Sequence, residues 1–198
     1  MAAHRPNPSA GILNLANLLT ISRIFATPLF LAMLFADAWY WRSPAVLVFA
    51  AASLTDLYDG RLARTRNSVT EFGRFMDPLA DKILVTSALI AFVLGRIVHA
   101  WIVVPIVVRD VVITALRLYG LRQGRMMETS VLAKWKTTAQ LVAVVLILTL
   151  LGLQELAGHF QWSGVLADGD WIRLLTNGLM TGVLLLTLLS GFHYFLRT

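Results

Sequence analysis

The sequence predicts an all-α integral membrane protein: six transmembrane helices preceded by a short N-terminal interfacial helix. Three observations point there. The 198 residues are 58% hydrophobic and only 14% charged, with a mean hydropathy of +0.72, whereas soluble globular chains run about 45–50% apolar and about 25% charged. Two stretches, Thr137 to Gln154 and Leu174 to Leu196, contain no Asp, Glu, Lys or Arg and are long enough to span unaided, because roughly 20 residues of helix cross the hydrocarbon core. Finally, several apolar runs end in acids and arginines rather than in Pro or Gly, so the charges continue the same helices.

Taken in order, residues 1–16 form a polar arm that lacks the basic-then-apolar order of a signal peptide, with Ser9–Ala16 mixed enough in character to lie along the interface. The first span runs from about 18 to 40 and accepts Arg23 near the interface. Spans at about 43–65, 75–95 and 98–121 follow. Their uncharged cores, Ser43–Thr55, Ile83–Gly95 and Ile97–Val108, reach only 12 or 13 residues. Ionisable groups attached to such short cores are expensive in lipid and must face a shared wet cavity. The last two spans cover about 134–154 and 172–195, with Glu155–Asp170 as the loop between them. No internal repeat, low-complexity tract or interdomain linker is present, so the chain reads as one membrane domain over 1–198.

Seventeen Lys+Arg against eleven Asp+Glu give a net charge of +6. In so apolar a chain this points to anionic lipid and topology rather than to nucleic acid. Twelve basic residues fall at the termini and in regions 61–82 and 117–136, and three (Arg42, Arg96, Arg173) on the other side. That asymmetry predicts a multi-pass protein of the cell membrane with both termini and the active site in the cytoplasm. The absence of cysteine removes disulfides, thiolate catalysis and zinc–sulfur sites together.

The chemistry concentrates between Asp56 and Asp81. Asp56 and Asp59 are three apart and Asp77 and Asp81 four apart, so each pair shares a helix face. A connection of roughly ten residues would bring the pairs opposite one another. Four carboxylates at low dielectric cannot all ionise without cations among them, and hard divalent ions such as Mg²⁺ or Mn²⁺ suit oxygen donors. Gly60 and Ala63 leave the backbone approachable, and Arg64 is suited to phosphate oxygens. Asp77-Pro78 is placed either to start the third helix, as N-cap and first helical residue, or to kink it. Any single Asp could equally be a solvated cap. The whole pattern, D-x₂-D-G-x₂-A-R-x₈-G-x₃-D-x₃-D, would arise by chance in about one sequence in ten to the eighth at average usage.

That pattern resembles, at every position, the signature of the CDP-alcohol phosphatidyltransferase family. The resemblance implies that family's six-span fold and a homodimer, with displacement of CMP from a CDP-linked donor by an alcohol. It implies that Asp56, Asp59, Asp77 and Asp81 hold two divalent metals and that Asp81 doubles as general base. It further implies contact of Asn17, Thr20, Asp56, Gly60, Arg64, Thr70 and Gly73 with CDP-diacylglycerol.

Outside the signature the likeness narrows to the branch that makes phosphatidylglycerol phosphate. Asn14-Leu-Ala-Asn17-Leu-Leu-Thr20-Ile-Ser-Arg23 with Pro28 is similar to that branch's opening pattern, and Asp77-Pro-Leu-Ala-Asp81-Lys-Ile-Leu to its second half-motif. Arg109-Asp-Val-Val-Ile-Thr-Ala-Leu-Arg117 and Lys134-Trp-Lys136-Thr137 resemble two further stretches, Ala133 standing where that branch has Gly. This implies sn-glycerol 3-phosphate as acceptor. The residues agree with a phosphorylated acceptor: Arg109 and Arg117 lie two turns apart on one face, and Lys134 and Lys136 open the fifth span. Topological anchoring would also account for the lysines and Arg117, and a pair with Asp110 for Arg109. His99, His159 and His193, scattered near span ends, read as structural. Still open are a cardiolipin synthase or phosphatidylinositol phosphate synthase of the same family and, from another class, a divalent-cation transporter. A transporter would place its acids mid-span in repeated halves.

Overall fold

The computed structural model describes residues 15–36, 38–65, 71–123, 131–161 and 169–197. Within them the chain is helical throughout: α1 (Leu15–Leu34), a 3-10 turn (Trp39–Trp41), α2 (Arg42–Thr65), α3 (Glu71–Leu94), α4 (Ala100–Arg122), α5 (Val131–His159) and α6 (Gly169–Arg197). Each helix falls where an apolar run was expected. The interfacial segment Ser9–Ala16 lies almost wholly outside the described residues.

Several boundaries differ from the sequence reading, for physical reasons. The third helix begins at Glu71, six positions before Asp77, so Asp77 is not its N-cap and Pro78 is interior. Pro28 and Pro105 are likewise inside helices, as is common where lipid and neighbouring helices re-satisfy the freed carbonyls. Five residues, 66–70, separate α2 from α3, not about ten. The first helix stops at Leu34, short of residue 40. Glu155, expected in a loop, sits in α5 because its carboxylate meets Arg42 of α2 at 3.2 Å.

The helices form a closed ring by their principal neighbours: α1 beside α2, then α5, α6, α4, α3 and back to α1, with α3 also meeting α5 across it. Phe30 of α1 and Phe49 of α2 meet with ring centroids 5.3 Å apart. They join Leu89, Phe92, Ile102, Ile106, Ile147 and Met180 in one buried cluster drawn from all six helices. Outward, the helices show Phe25, Leu47, Ile90, Val108, Leu146, Leu188 and Phe192. Apolar faces on every helix would be costly in water and match a lipid surround. Among the described residues two helices are long and apolar enough to cross a membrane, over Ala133–His159 and Gly169–Phe192; the apolar stretches Ile21–Leu34, Arg42–Leu54 and Lys82–Leu94 are shorter. The chain is a membrane protein.

The α3–α4 connection is tightly built. Ile97 N–H donates to Phe92 O (2.9 Å) and Arg96 N–H to Val93 O (3.0 Å), with Arg96 at φ 56°. This is the Schellman ending, whose left-handed position usually holds Gly. An Arg there costs about 1–2 kcal/mol. From α6, Asn177 accepts from His99 N–H (3.0 Å) and donates to Ile97 O (3.2 Å), and Thr176 also donates to Ile97 O. The ring of His99 plays no part in these bonds.

Candidate active site

Two consecutive helices carry the signature. Asp56, Asp59, Gly60 and Arg64 lie in the C-terminal half of α2, and Gly73, Asp77 and Asp81 in the N-terminal half of α3. Each aspartate pair keeps its one-turn spacing on one unbroken helix. The side chains of these residues, of Asn17 and Thr20 at the start of α1, and of Arg117 on α4, lie outside the described residues, as does Thr70 altogether. Among the described residues no group of three or more His, Asp or Glu is gathered to hold a metal.

The described half of the site is cationic and organised on one carboxylate. Asp110 of α4 is 3% exposed. Lys82 Nζ approaches its Oδ2 at 3.6 Å, Arg109 Nη1 its Oδ1 at 3.3 Å, and the fully buried Lys136 ammonium of α5 donates to the same oxygen. Arg109 Nη2 donates to Ser190 Oγ of α6 at 2.8 Å, and that hydroxyl donates to Thr187 O at 3.1 Å. One acid thus ties α3, α4 and α5 together, and Arg109 extends the tie to α6. A buried charge without such partners would be prohibitive. Three cations thus surround one carboxylate, and ammonium and guanidinium groups are suited to phosphate oxygens.

Of the four acceptor-site candidates, Arg109 and Lys136 are brought together. Lys134 is exposed at the start of α5. The sequence reading treated Asp110 only as a possible partner of Arg109 and missed it as the hub; it also missed Lys82 and Ser190. Lys82 directly follows Asp81, so the cationic cluster begins one residue from the last acid of the signature. Ser190, next to Gly191, was detectable as a polar and small pair inside a leucine-rich run.

The sequence matches the CDP-alcohol phosphatidyltransferase family over residues 13–188. A probable phosphatidylglycerophosphate synthase of Mycobacterium tuberculosis (strain H37Rv) is 36% identical over 191 residues, covering 95% of this chain and 83% of the relative. The CDP-diacylglycerol–glycerol-3-phosphate 3-phosphatidyltransferase of Bacillus subtilis is 38% identical over 147 residues, 68% of this chain and 76% of its own length. The enzyme of the same name from Escherichia coli K12 is 36% identical over 140 residues, with the same shares covered. With its aspartate signature on α2 and α3 and matches of this extent, the chain belongs to the CDP-alcohol phosphatidyltransferase family.

Proposed function

We propose that this phosphatidyltransferase moves the phosphatidyl group of CDP-diacylglycerol onto sn-glycerol 3-phosphate, giving phosphatidylglycerol phosphate and CMP. The observation that carries the choice of acceptor is the Lys82–Asp110–Arg109–Lys136 network. It gathers three cations from α3, α4 and α5, and its Lys82 follows Asp81 directly in the sequence. The names of the Bacillus subtilis and Escherichia coli relatives support the same acceptor.

In this reading Asp81 takes the proton from the free hydroxyl of glycerol 3-phosphate. The resulting oxygen attacks the phosphorus that bears diacylglycerol, and the bond from that phosphorus to the CMP oxygen breaks with its electron pair leaving on CMP. Arg64, Gly60 and Gly73, with Asn17, Thr20 and Thr70, hold the donor; Arg109, Lys136, Arg117 and Lys134 hold the acceptor's phosphate. The donor set Asp56, Asp59, Asp77 and Asp81 offers only hard carboxylate oxygens and suits two Mg²⁺ or Mn²⁺ ions. Such ions, when bound, neutralise pyrophosphate charge and ease CMP departure. All six helices cross the cell membrane, both termini and the aspartates face the cytoplasm, and two copies form a dimer.

The test supplies purified protein with labelled CDP-diacylglycerol and, separately, glycerol 3-phosphate, phosphatidylglycerol and inositol phosphate. CMP release that depends on glycerol 3-phosphate, vanishes on chelation and returns with Mg²⁺ or Mn²⁺ is the expected result. Turnover with another acceptor alone would overturn the choice, and turnover that survives thorough chelation would overturn the metal assignment.

A further inference from the structure

We infer that Ser190, in the last helix of the chain, is a positioning residue: its hydroxyl fixes the plane of the Arg109 guanidinium that takes the acceptor's phosphate. The inference rests on the acceptor reading above and adds to that pocket a residue from α6. Arg109 Nη2 donates to Ser190 Oγ at 2.8 Å, and Ser190 Oγ donates to Thr187 O at 3.1 Å. Ser190 is 1% exposed, so water does not compete for either bond.

The direction of these bonds assigns the role. A carbonyl only accepts and a guanidinium only donates, whereas a hydroxyl has one proton and two lone pairs. Ser190 therefore gives its proton to its own helix and its lone pair to α4. A hydroxyl inside an apolar helix needs only the first of these bonds to be satisfied. Thr187 illustrates that state three positions earlier, donating to Val183 O at 2.7 Å. Ser190 does the same and in addition reaches across to another helix, in a run that is otherwise Val, Leu, Thr, Gly and Phe from 183 to 192.

Arg109 needs that hold. Its ion-pair contact is Asp110 Oδ1 at 3.3 Å, on the adjacent residue of its own helix and shared with Lys82 and Lys136. Adjacent helical positions do not face each other, so this contact alone orients the group poorly. The Ser190 bond is the shorter of the two and comes from a different helix. With Nη1 and Nη2 each held, the plane of the rigid fork is set, and two-pronged recognition of phosphate depends on such a plane. Bulk at the next residue is not what holds the arginine: a Cβ at Gly191 would sit an ordinary 3.8 Å from Arg109 Cγ and Nε.

CMP release by the full-length protein in detergent, with glycerol 3-phosphate and CDP-diacylglycerol varied in turn, tests this. Ser190→Ala should raise KM for glycerol 3-phosphate about three- to tenfold, the usual net worth of one hydrogen bond, and spare kcat and the donor KM. Ser190→Thr, which keeps the hydroxyl, and Gly191→Ala, which adds bulk to the same face, should keep the wild-type values. In an Arg109→Ala background Ser190→Ala should add nothing, because the hydroxyl acts only through that guanidinium; this comparison decides the matter if Ser190→Thr does not fold. A wild-type acceptor KM in Ser190→Ala beside a raised one in Arg109→Ala would overturn the role of Ser190 and leave the pocket standing. Wild-type values in both would sink the pocket and this inference together. Equal rises in Ser190→Ala and Gly191→Ala, or a further rise on top of Arg109→Ala, would reduce Ser190 to packing.

Discussion

Asp110 sets the energetics of the described half of the site. Asp110→Asn takes from the buried Lys136 ammonium the one carboxylate that meets it among the described residues, and stranding a buried ion costs about 3–5 kcal/mol. Lys136→Met leaves the carboxylate two cations and should cost less. Thermal unfolding in detergent checks the order of the two, and equal losses would remove Asp110 from its place as hub. Arg109 has a separate signature in kinetics. One charge-assisted phosphate contact is worth about 1.5–3 kcal/mol, so Arg109→Ala should raise KM for glycerol 3-phosphate roughly 10- to 100-fold and spare that for CDP-diacylglycerol. Arg64→Ala should do the reverse. If Arg109→Ala keeps the wild-type acceptor KM, the cationic cluster is scaffolding alone. For Asp81→Asn, donor binding should persist while turnover falls about 10²- to 10⁴-fold, the usual worth of a general base; more than about a tenth of wild-type turnover would contradict that role.

At the scale of elements, apolar runs made all six helices legible, two by their own length and the shorter ones because their charged ends continue without Pro or Gly breaks. A helix is the local structure that satisfies its own backbone in lipid. Their ends were less legible. Counting charges truncates a helix at Glu155, yet the Arg42 pair lets α5 continue to His159. Reading Asp77-Pro78 as a start ignores that an interior proline is tolerated when neighbours cover the exposed carbonyl. The aspartate pattern was legible since its spacing is local to two helices. The Asp110 hub was not, because a single sequence does not say which cation on another helix reaches an acid. The α3–α4 turn is the same kind of case: its lock comes from Thr176 and Asn177, about 80 positions later. Asn177→Ala removes both its bonds to the turn and should destabilise by about 1–3 kcal/mol. Thr176→Val should matter less, as Ile97 O keeps the Asn177 amide. A melting temperature unchanged by Asn177→Ala would show that the turn stands without α6.

For the whole molecule, the ring order α1-α2-α5-α6-α4-α3 could not be read from the chain, because apolar faces specify burial and not the partner. It matters for orientation. From Lys134 to His159 α5 rises 25 positions, about 37 Å at 1.5 Å per residue, enough to exceed a hydrocarbon core of about 30 Å. Gln123, just past α4, and Gln161, just past α5, therefore belong on opposite sides. Ala38, between α1 and α2, shares the side of Gln161 if six helices cross. The chain has no cysteine, so single substitutions report without background. In intact cells a membrane-impermeant maleimide should label Ala38→Cys and Gln161→Cys but not Gln123→Cys; in inverted vesicles the pattern should reverse. This outcome sets the aspartates of α2 and α3 on the side of Gln123, with the twelve basic residues that the positive-inside rule assigns to the cytoplasm. Labelling of Gln123→Cys from outside would invert the protein. Labelling of Ala38→Cys and Gln161→Cys from opposite sides would break the six-span count, because an even number of crossings separates them in the proposed topology.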